Sequence, residues 1–379
     1  MKRRNQIHHK VLQFLKRTDW QLLPPVAGVL AFGWWVQWSV AGGDVFPNGH
    51  TIRLLATGLA LILAAGWSAR RWRNSAYLIY ALVIAMLVFV LVSGRETNNA
   101  RRWIDLVGGF KIQPSEFMKL ALILFLARWF ADRPRLRRLR ELWIPGLCCL
   151  VPVLLILAEP DLGTALSIGP LFLGMVWLAG LPAKKWRLLV LLPLAFAPLA
   201  FLNLKDYQLE RMTTWWHQNA LTLEEKADAG YHLWHAKMAI GSGRLTGHGW
   251  AQGPENRLDR LPERHNDFIF PVIAEEHGFF GASLFLLLYA LIPIIALWRA
   301  GRYRDPFTRL VIAGVGLHFG IHLVINVGVS TGLLPTTGLP LPMVSFGGSS
   351  MAVSGLAVGL ALAVGARPGP VFSSRAFEG

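Results

Sequence analysis

One acidic residue, Asp267, stands where a long polar segment meets an apolar run. The residues before it are polar, charged and rich in glycine, and those that follow, from Phe268 onward, are hydrophobic. A carboxylate placed where a polar loop enters a membrane lies in a low dielectric yet faces water on one side, which raises its basicity. The sequence therefore predicts a general base that abstracts a proton at a membrane surface.

A second chemical feature is the pair Glu116 and Lys119, which follows Pro114 at the start of another apolar run. Proline is favoured in the first turn of a helix, and a spacing of three residues places both charges on one helical face. The pair is either a structural ion pair or part of a polar cavity, and the sequence leaves both interpretations open. Ionisable groups at the entrance of a membrane span are costly unless they meet a partner or line a cavity.

Arg101, Arg102 and Trp103 form a cluster in the connection before this helix. They are either an interfacial anchor or a ligand site, because guanidinium groups pair with phosphate oxygens and an indole ring stacks on a sugar face or packs on lipid. We expect at least one of the two arginines to be an anchor.

Three further segments lie between apolar runs. For Asp161, helix capping is the favoured role. The segment 230–250 starts with helical character and becomes glycine-dense, which is typical of an interfacial helix followed by turns or of a backbone wall for a bulky polar ligand. The proline-rich segment 334–350 is either a break in a span or a cavity wall at membrane depth. We expect Gly347 and Gly348 to open the final helix.

Composition places the whole chain in a membrane. Of its 379 residues 54% are hydrophobic and only 16% are charged, whereas a soluble protein carries roughly a quarter charged residues. The apolar runs are long and do not alternate, which favours helices over a closed barrel of strands. The net charge of +16 does not indicate nucleic acid, because most basic residues form short clusters between the apolar runs.

The fold class predicted is an all-α polytopic membrane protein with ten transmembrane helices. The candidate spans lie near 23–41, 52–68, 75–93, 114–131, 143–159, 162–181, 186–204, 268–298, 308–330 and 343–365. Most have the length that a bilayer core requires. The eighth is longer, so we expect it to be tilted, kinked or extended beyond the bilayer.

The orientation follows from basic clusters in the N-terminal segment and in every even-numbered connection. Both termini are then cytoplasmic. One membrane domain covers 1–379, with a basic N-terminus at 1–20, a large extracytoplasmic loop at 205–267 and a tail at 366–379. Asp267 then lies at the outer face, where a bacterial enzyme has no nucleotide available and must use a substrate that is already activated, such as a lipid-linked pyrophosphate.

Several motifs together resemble the SEDS family of polytopic cell-wall polymerases, the RodA/FtsW/SpoVE type. The matching segments occur in order over nearly the whole chain: Arg102-Trp103, 113–116 with Lys119, 160–164, 230–232, 240–243, 261–270, 338–342 and 345–349. Residues 103–106 and 262–265 are more similar to the elongation type, RodA, than to the division type, FtsW.

The resemblance implies a ten-span peptidoglycan glycosyltransferase that polymerises lipid II in the bacterial cytoplasmic (inner) membrane. It also implies partnership with a single-pass class B penicillin-binding protein and with other membrane proteins of the elongation complex. Carried over by motif, Asp267 is the catalytic carboxylate, and Glu116 and Lys119 are a pair linked to activity.

The mechanism expected is an inverting transfer in which Asp267 takes the proton from the 4-hydroxyl of the acceptor sugar and undecaprenyl pyrophosphate leaves. Candidate contacts to substrate or leaving group are Lys119, Arg101, Arg102, Trp103, Arg211, Arg264 and Ser345. A divalent cation, Mg or Mn, is the one cofactor considered, and no metal ligand is assigned. A single base suffices because a pyrophosphate leaving group needs charge stabilisation more than protonation.

Two other functions stay open at the level of sequence. A lipid II flippase would use intramembrane charges such as Glu116, Asp267, Glu275 and Glu276 as a polar pathway, although no internal repeat typical of transporters is evident. A non-catalytic scaffold of the cell-wall synthesis complex would tolerate loss of the Asp267 carboxylate.

Overall fold

The computed structural model describes residues 20–43, 48–97, 100–105, 111–133, 136, 138–191, 206–220, 222 and 230–366. Most of this part is helical. The helices are α1 (Leu23–Val40), α2 (Asn48–Ala65), α3 (Ala69–Ser93), α4 (Pro114–Ala131), α5 (Trp143–Ala158), α6 (Leu162–Leu178), α7 (183–191), α8 (Asp206–Trp216), α9 (Tyr231–Ser242), α10 (Pro254–Arg257), α11 (Ile269–Ala300), α12 (Pro306–Ser330) and α13 (Gly348–Gly365).

Six of these described helices are long and apolar enough to cross a membrane: α2, α3, α5 with the 3₁₀ turn before it, α11, α12 and α13. Helices also occupy the predicted first, fourth and sixth spans, whereas the seventh is described only as far as residue 191. The chain is therefore a multi-pass helical membrane protein, and the number ten stays a prediction. The predicted cytoplasmic segment 1–20, except for Trp20, and the predicted tail beyond residue 366 lie outside the described residues.

The expectation of an all-α chain was incomplete. The connection between α3 and α4 contains a three-stranded antiparallel sheet of β1 (Arg95–Thr97), β2 (Ala100–Asp105) and β3 (Lys111–Ile112). The sheet places β2, with Arg102 and Trp103, beside the start of α4.

Helices α4, α12 and α13 form the buried centre of the bundle. Helix α13 packs along α2 at very short range, because a Cβ atom at Gly355 or Gly359 would overlap the backbone carbonyl oxygen of Thr57 or Leu61. Small residues spaced four apart allow two membrane helices to approach in this way. The close contact fixes the N-terminus of α13, which begins at Gly348 with Gly347 as N-cap, as the sequence predicted.

Of the three alternatives for the long eighth span, tilted, kinked or extended, the structure shows a kink at Gly278 of α11, where the backbone leaves the helical region with φ 64° and ψ −168°. A kink in a membrane helix exposes backbone groups that must find partners. The glycine-dense loop after α9 supplies them through four hydrogen bonds: Phe279 N to Arg244 O (2.8 Å), Phe280 N to Leu245 O (3.1 Å), His248 N to Glu275 O (3.0 Å) and Gly249 N to Glu276 O (2.9 Å). This loop is therefore a backbone cover for the kink.

Candidate active site

Asp267 ends a tight turn that leads directly into α11. The turn is closed by hydrogen bonds to Glu263 O from Asn266 N (2.8 Å) and Phe268 N (3.3 Å). Phe268 and Ile269 are buried in the bundle, whereas Asp267 stays partly accessible. The change from a polar turn to a buried helix thus holds the carboxylate at the boundary between the two.

Side chains from other elements hold this turn through its backbone. The amide of Gln37 on α1 donates to His265 O and to Val344 O, each at 2.9 Å. The hydroxyl of Ser345 donates to Asn266 O at 2.6 Å. Ser345, predicted as a substrate contact, is 1% exposed and lies beneath the turn, where it supports the backbone next to Asp267.

Helix α12 holds the same turn from a third direction. Asn326 donates through Nδ2 to Asp267 O and to Leu339 O, each at 2.9 Å. It therefore ties the Asp267 turn to the proline-rich segment that precedes α13.

The pair Glu116 and Lys119 lies in the first turns of α4, which begins at Pro114 as predicted. Their side chains form a buried ion pair with Nζ 2.7 Å from Oε1, at 1% exposure for Lys119 and 3% for Glu116. Lys119 Nζ also lies 3.0 Å from His322 Nε2 on α12. The two interpretations of the pair are both realised, because Glu116 is ion-paired and also lines a polar cavity.

The turn between α5 and α6 forms another wall. Asp161 Oδ1 accepts from Thr164 N at 3.1 Å, which confirms the predicted helix cap, and Oδ2 accepts from Gln113 Nε2 at 2.8 Å. Arg102 on β2 donates through Nε to Glu159 O at 2.9 Å and through a second nitrogen to Pro160 O. The guanidinium is therefore held in place by backbone carbonyls.

These walls enclose a cavity of about 420 Å³. Its charged and aromatic lining residues are Arg102, Trp103, Glu116, Asp161, Arg211, Glu263 and Asp267. Its remaining lining includes Thr337, Gly338 and Pro340 of the proline-rich segment and Ser349 and Ser350 at the N-terminus of α13. The site thus combines carboxylates, two guanidinium groups and the positive end of a helix dipole.

The pKa of the Asp267 carboxyl group departs clearly from its usual value. Burial raises its pKa to about 7, with further upward contributions from the negative charges of Glu263 and Asp161, and the cations Arg211 and Arg102 act against the rise. A carboxylate with a pKa near neutrality is a far better proton acceptor than an ordinary aspartate, so Asp267 is suited to general base catalysis.

Five of the predicted site residues, Arg102, Trp103, Glu116, Arg211 and Asp267, line this single cavity. Lys119 lies directly behind Glu116. The structure does not bring Arg264 to the cavity.

Arg264 lines a second cavity of about 410 Å³ with Arg257 and Asn256. There its guanidinium pairs with Asp259 at 3.0 Å and donates to Asn256 O. The side chain of Arg101 lies outside the described part of the structure.

Two acidic residues of α11 have a different role. Glu275 accepts hydrogen bonds from the backbone nitrogens of Glu255 (2.8 Å) and Asn256 (3.2 Å), at the start of the short helix α10. Glu276 accepts from Asn256 Nδ2 at 2.9 Å and from Ser39 on α1. These carboxylates bind the loop to the membrane helices, and neither is among the residues that line the Asp267 cavity.

Sequence reasoning missed Glu263, Gln37, His322 and Asn326. Three of them, Gln37, His322 and Asn326, interrupt apolar runs, and a polar residue inside a membrane span is a functional signal in itself. That signal marks the residues, but their partners lie far away in sequence and became evident only in the fold.

In the described part of the chain, no three His, Cys, Asp or Glu side chains are grouped as ligands of a metal ion would be. The divalent cation considered for this site therefore has no ligand set assigned from protein side chains.

The fold and the cavity together define a class: a multi-pass helical membrane protein with a carboxylate-bearing polar cavity where an inter-helix loop meets the bundle. Within that class, the chain belongs to the FtsW/RodA/SpoVE family of cell cycle proteins, whose model matches residues 42–367. It is 35% identical over 364 residues to the peptidoglycan glycosyltransferase MrdB of Escherichia coli K12, a match that covers 92% of this chain and 95% of MrdB.

Solved structures agree with this assignment. One similar structure is a chain from a peptidoglycan synthase complex studied for the structural coordination of polymerization and crosslinking, with a TM-score of 0.77, 31% identity and coverage of 92% of this chain and 97% of that one. Another is the rod shape determining protein RodA of Thermus thermophilus, with a TM-score of 0.69, 31% identity and coverage of 92% and 96%.

Proposed function

We propose that this chain is a peptidoglycan glycosyltransferase that polymerises lipid II into glycan strands. The observation that carries the proposal is Asp267: a carboxyl group with a pKa of about 7, in a polar cavity that also presents the guanidinium groups of Arg102 and Arg211. Relatives named as peptidoglycan glycosyltransferases align over nearly the whole chain.

In the reaction, the deprotonated Asp267 accepts the proton of the acceptor sugar 4-hydroxyl as its oxygen attacks the anomeric carbon of the donor. The new C–O bond forms as the bond to the pyrophosphate breaks, and undecaprenyl pyrophosphate leaves with the electron pair. Attack opposite the leaving group inverts the anomeric centre. One base is enough, because the leaving group is already a weakly basic anion that needs charge stabilisation.

Arg102 and Arg211 are the cations that this cavity offers to the leaving pyrophosphate. Arg102 is held by two backbone carbonyls, so little conformational freedom is lost when it binds phosphate oxygens. The N-terminus of α13 adds a further positive field. Trp103 provides an aromatic face for a sugar ring. A divalent cation, Mg or Mn, is the one cofactor considered, and the assay below tests its role by chelation.

We further propose that the chain has ten spans with both termini in the cytoplasm, in the bacterial inner membrane, so that the cavity faces outward. The charge pattern of the connections supports this orientation. It places the site where lipid-linked donors, rather than nucleotides, are available.

A class B penicillin-binding protein is the partner that we propose, because a similar chain is part of a complex that couples polymerization to crosslinking. A role in elongation is supported by residues 103–106 and 262–265, which are similar to the RodA type, and by the likeness to a rod shape determining protein.

The proposal is tested by purifying the chain, alone and with its cognate penicillin-binding protein, and supplying lipid II with Mg or Mn or with a chelator. We expect the wild type to form glycan and Asp267→Asn to form none. The variant keeps the shape of the side chain and removes its basicity, and we expect it to melt no lower than the wild type, because burial already disfavours the charged carboxylate.

Equal polymer from wild type and Asp267→Asn would reject Asp267 as the base. Absence of polymer from the intact wild-type complex would reject the glycosyltransferase and leave lipid II transport or a scaffold role, of which a flipping assay in vesicles detects the first.

A further inference from the structure

Helix α12 carries two buried polar residues that the reaction scheme above does not use. His322 and Asn326 lie four residues apart, so they share one face of the helix, and each is 1% exposed. Polar side chains inside a membrane span are costly unless they are hydrogen-bonded. Both are bonded to groups that belong to the cavity walls or lie directly behind them.

Asn326 connects the Asp267 turn with the proline-rich segment. Its Nδ2 bonds to the backbone oxygens of Asp267 and Leu339, each at 2.9 Å. Both partners are carbonyl oxygens, which only accept hydrogen bonds, so the side chain must present its NH₂ group to them. The two hydrogens of that group match the two acceptors, and an aspartate or an aliphatic side chain could not replace it.

His322 connects the proline-rich segment with α4. Its Nδ1 lies 3.3 Å from Pro340 O, and its Nε2 lies 3.0 Å from Lys119 Nζ. Because a carbonyl accepts only, Nδ1 must carry the proton. Nε2 is then the acceptor that faces the ammonium group of Lys119. The geometry requires a neutral ring in the Nδ1–H tautomer.

Leu339 and Pro340 are adjacent in the chain, so the two side chains hold one short segment from behind. We propose that His322 and Asn326 are positioning residues that together fix the placement of Asp267 relative to the Glu116–Lys119 pair, through their shared hold on Leu339 and Pro340. This inference rests on the proposed transferase function, because spacing between the walls matters when acceptor, donor and base must be aligned. Misplacement by about 1 Å can reduce a rate by roughly 100-fold.

The first test measures polymerisation rate against lipid II concentration in purified variants whose folding is checked by thermal melting. For His322→Leu and Asn326→Leu we expect the maximal rate to fall on the order of 100-fold, with the lipid II concentration for half-maximal rate almost unchanged. His322→Gln should retain most of the rate, because its amide oxygen can accept from Lys119 and its NH₂ group can donate to Pro340 O.

Two matched controls lie at the end of the same helix. Ser330 is one turn after Asn326 and donates to Asn326 O at 2.9 Å, within the helix. The hydroxyl of Thr331 likewise donates back to Val327 O at 2.8 Å. Ser330→Ala and Thr331→Val should keep rates near that of the wild type.

The second test is nitrogen NMR of the histidine ring in the wild-type chain, with the His322 signals assigned by their loss in His322→Gln. We expect a neutral ring protonated at Nδ1. This measurement needs neither turnover nor the leucine variants, so it decides the tautomer even if those variants fail to fold.

An Nε2–H or doubly protonated ring would overturn the role given to His322. Any of three results would overturn the positioning role. The leucine variants could have the same rates as their controls, the change could be confined to the lipid II concentration for half-maximal rate, or His322→Gln could be as slow as His322→Leu. A wild type that makes no polymer would instead reject the proposed transferase function, and the tautomer would still be measured.

Discussion

At the scale of single residues, the cavity holds carboxyl groups in different electrostatic states. Glu116 is neutralised by Lys119, and Asp161 accepts from a backbone nitrogen and from the amide of Gln113. Among the described residues, Asp267 is anchored through its backbone oxygen, which leaves its carboxylate available to a substrate. Position alone would not select the base from these three groups, but their hydrogen-bond partners do.

The rate of polymerisation should rise with pH and level off above about 7, because the base acts only when deprotonated and burial, with Glu263 and Asp161 nearby, raises the pKa of Asp267 to about 7. Removing the neighbouring charge in Glu263→Gln makes the carboxylate form of Asp267 easier to reach, which lowers its pKa. The acid limb of the pH–rate profile should therefore move to lower pH.

Asp259→Asn is the matched control for charge removal, because Asp259 pairs with Arg264 at the second cavity and does not contribute to the shift of Asp267. Its profile should coincide with that of the wild type. A midpoint that stays constant or moves upward in Glu263→Gln would contradict the electrostatic account of this base.

At the scale of elements, the kinked helix α11 and the glycine-dense loop form one unit. The loop comes closest to the kink at a glycine, Gly247, where a side chain would not fit. Gly247 has φ +79°, and a Cβ atom there would overlap the backbone oxygen of Glu276. The unit matters to the site because α11 begins two residues after Asp267.

We expect Gly247→Ala to destabilise the protein more than Gly249→Ala. Gly249 has φ +96°, so both substitutions force an L residue into the left-handed region at about 1–2 kcal/mol. A Cβ atom at Gly249 meets nothing closer than Gln252 Cγ at 3.9 Å, whereas Gly247→Ala adds a backbone overlap worth about 1–3 kcal/mol more. Thermal melting in detergent measures the difference. Equal melting temperatures would show that the loop does not bear on the kink.

Most helices could be predicted from sequence because each is a long apolar run, and the starts of α4, α6 and α13 followed from Pro114, Asp161 and Gly347. The three-stranded sheet could not, because its strands are two to six residues long and their pairing, as between Arg95 and Trp103, is a tertiary property. Composition alone gives such short segments no clear period.

The candidate site was predictable to a similar extent. Residue type and position selected Asp267, Glu116 and Arg102, since charge at a membrane boundary is rare. The supporting contacts were not predictable, because Gln37 reaches His265 and Lys119 reaches His322 across about 200 residues of chain or more. Arg264 shows the converse: it lies three residues before Asp267 and yet faces a different cavity.

At the scale of the whole molecule, the distribution of apolar surface requires a lipid environment. Leu55, Leu59 and Ile62 on one helix are 70%, 58% and 67% exposed, whereas α12 and α13 are largely buried. The outer helices of the bundle are thus apolar on the outside, and the polar groups of the site are gathered inside. In water this arrangement would drive aggregation, whereas in a bilayer it is the stable one.

The side of the membrane that the cavity faces can be measured directly. With Cys148 and Cys149 replaced by alanine, single cysteines are introduced as Asn219→Cys, in the turn after α8, and Arg70→Cys, in the first turn of α3, just after the connection from α2. Both positions are exposed. We expect a membrane-impermeant maleimide to label Asn219→Cys in intact spheroplasts and to label Arg70→Cys only after permeabilisation, because basic connections are retained in the cytoplasm.

Labelling of both variants after permeabilisation is the control for reactivity. The reverse pattern would place the Asp267 cavity on the cytoplasmic side, where a flipped lipid-linked donor could not reach it, and would reject polymerisation at the outer face even if the purified chain were active.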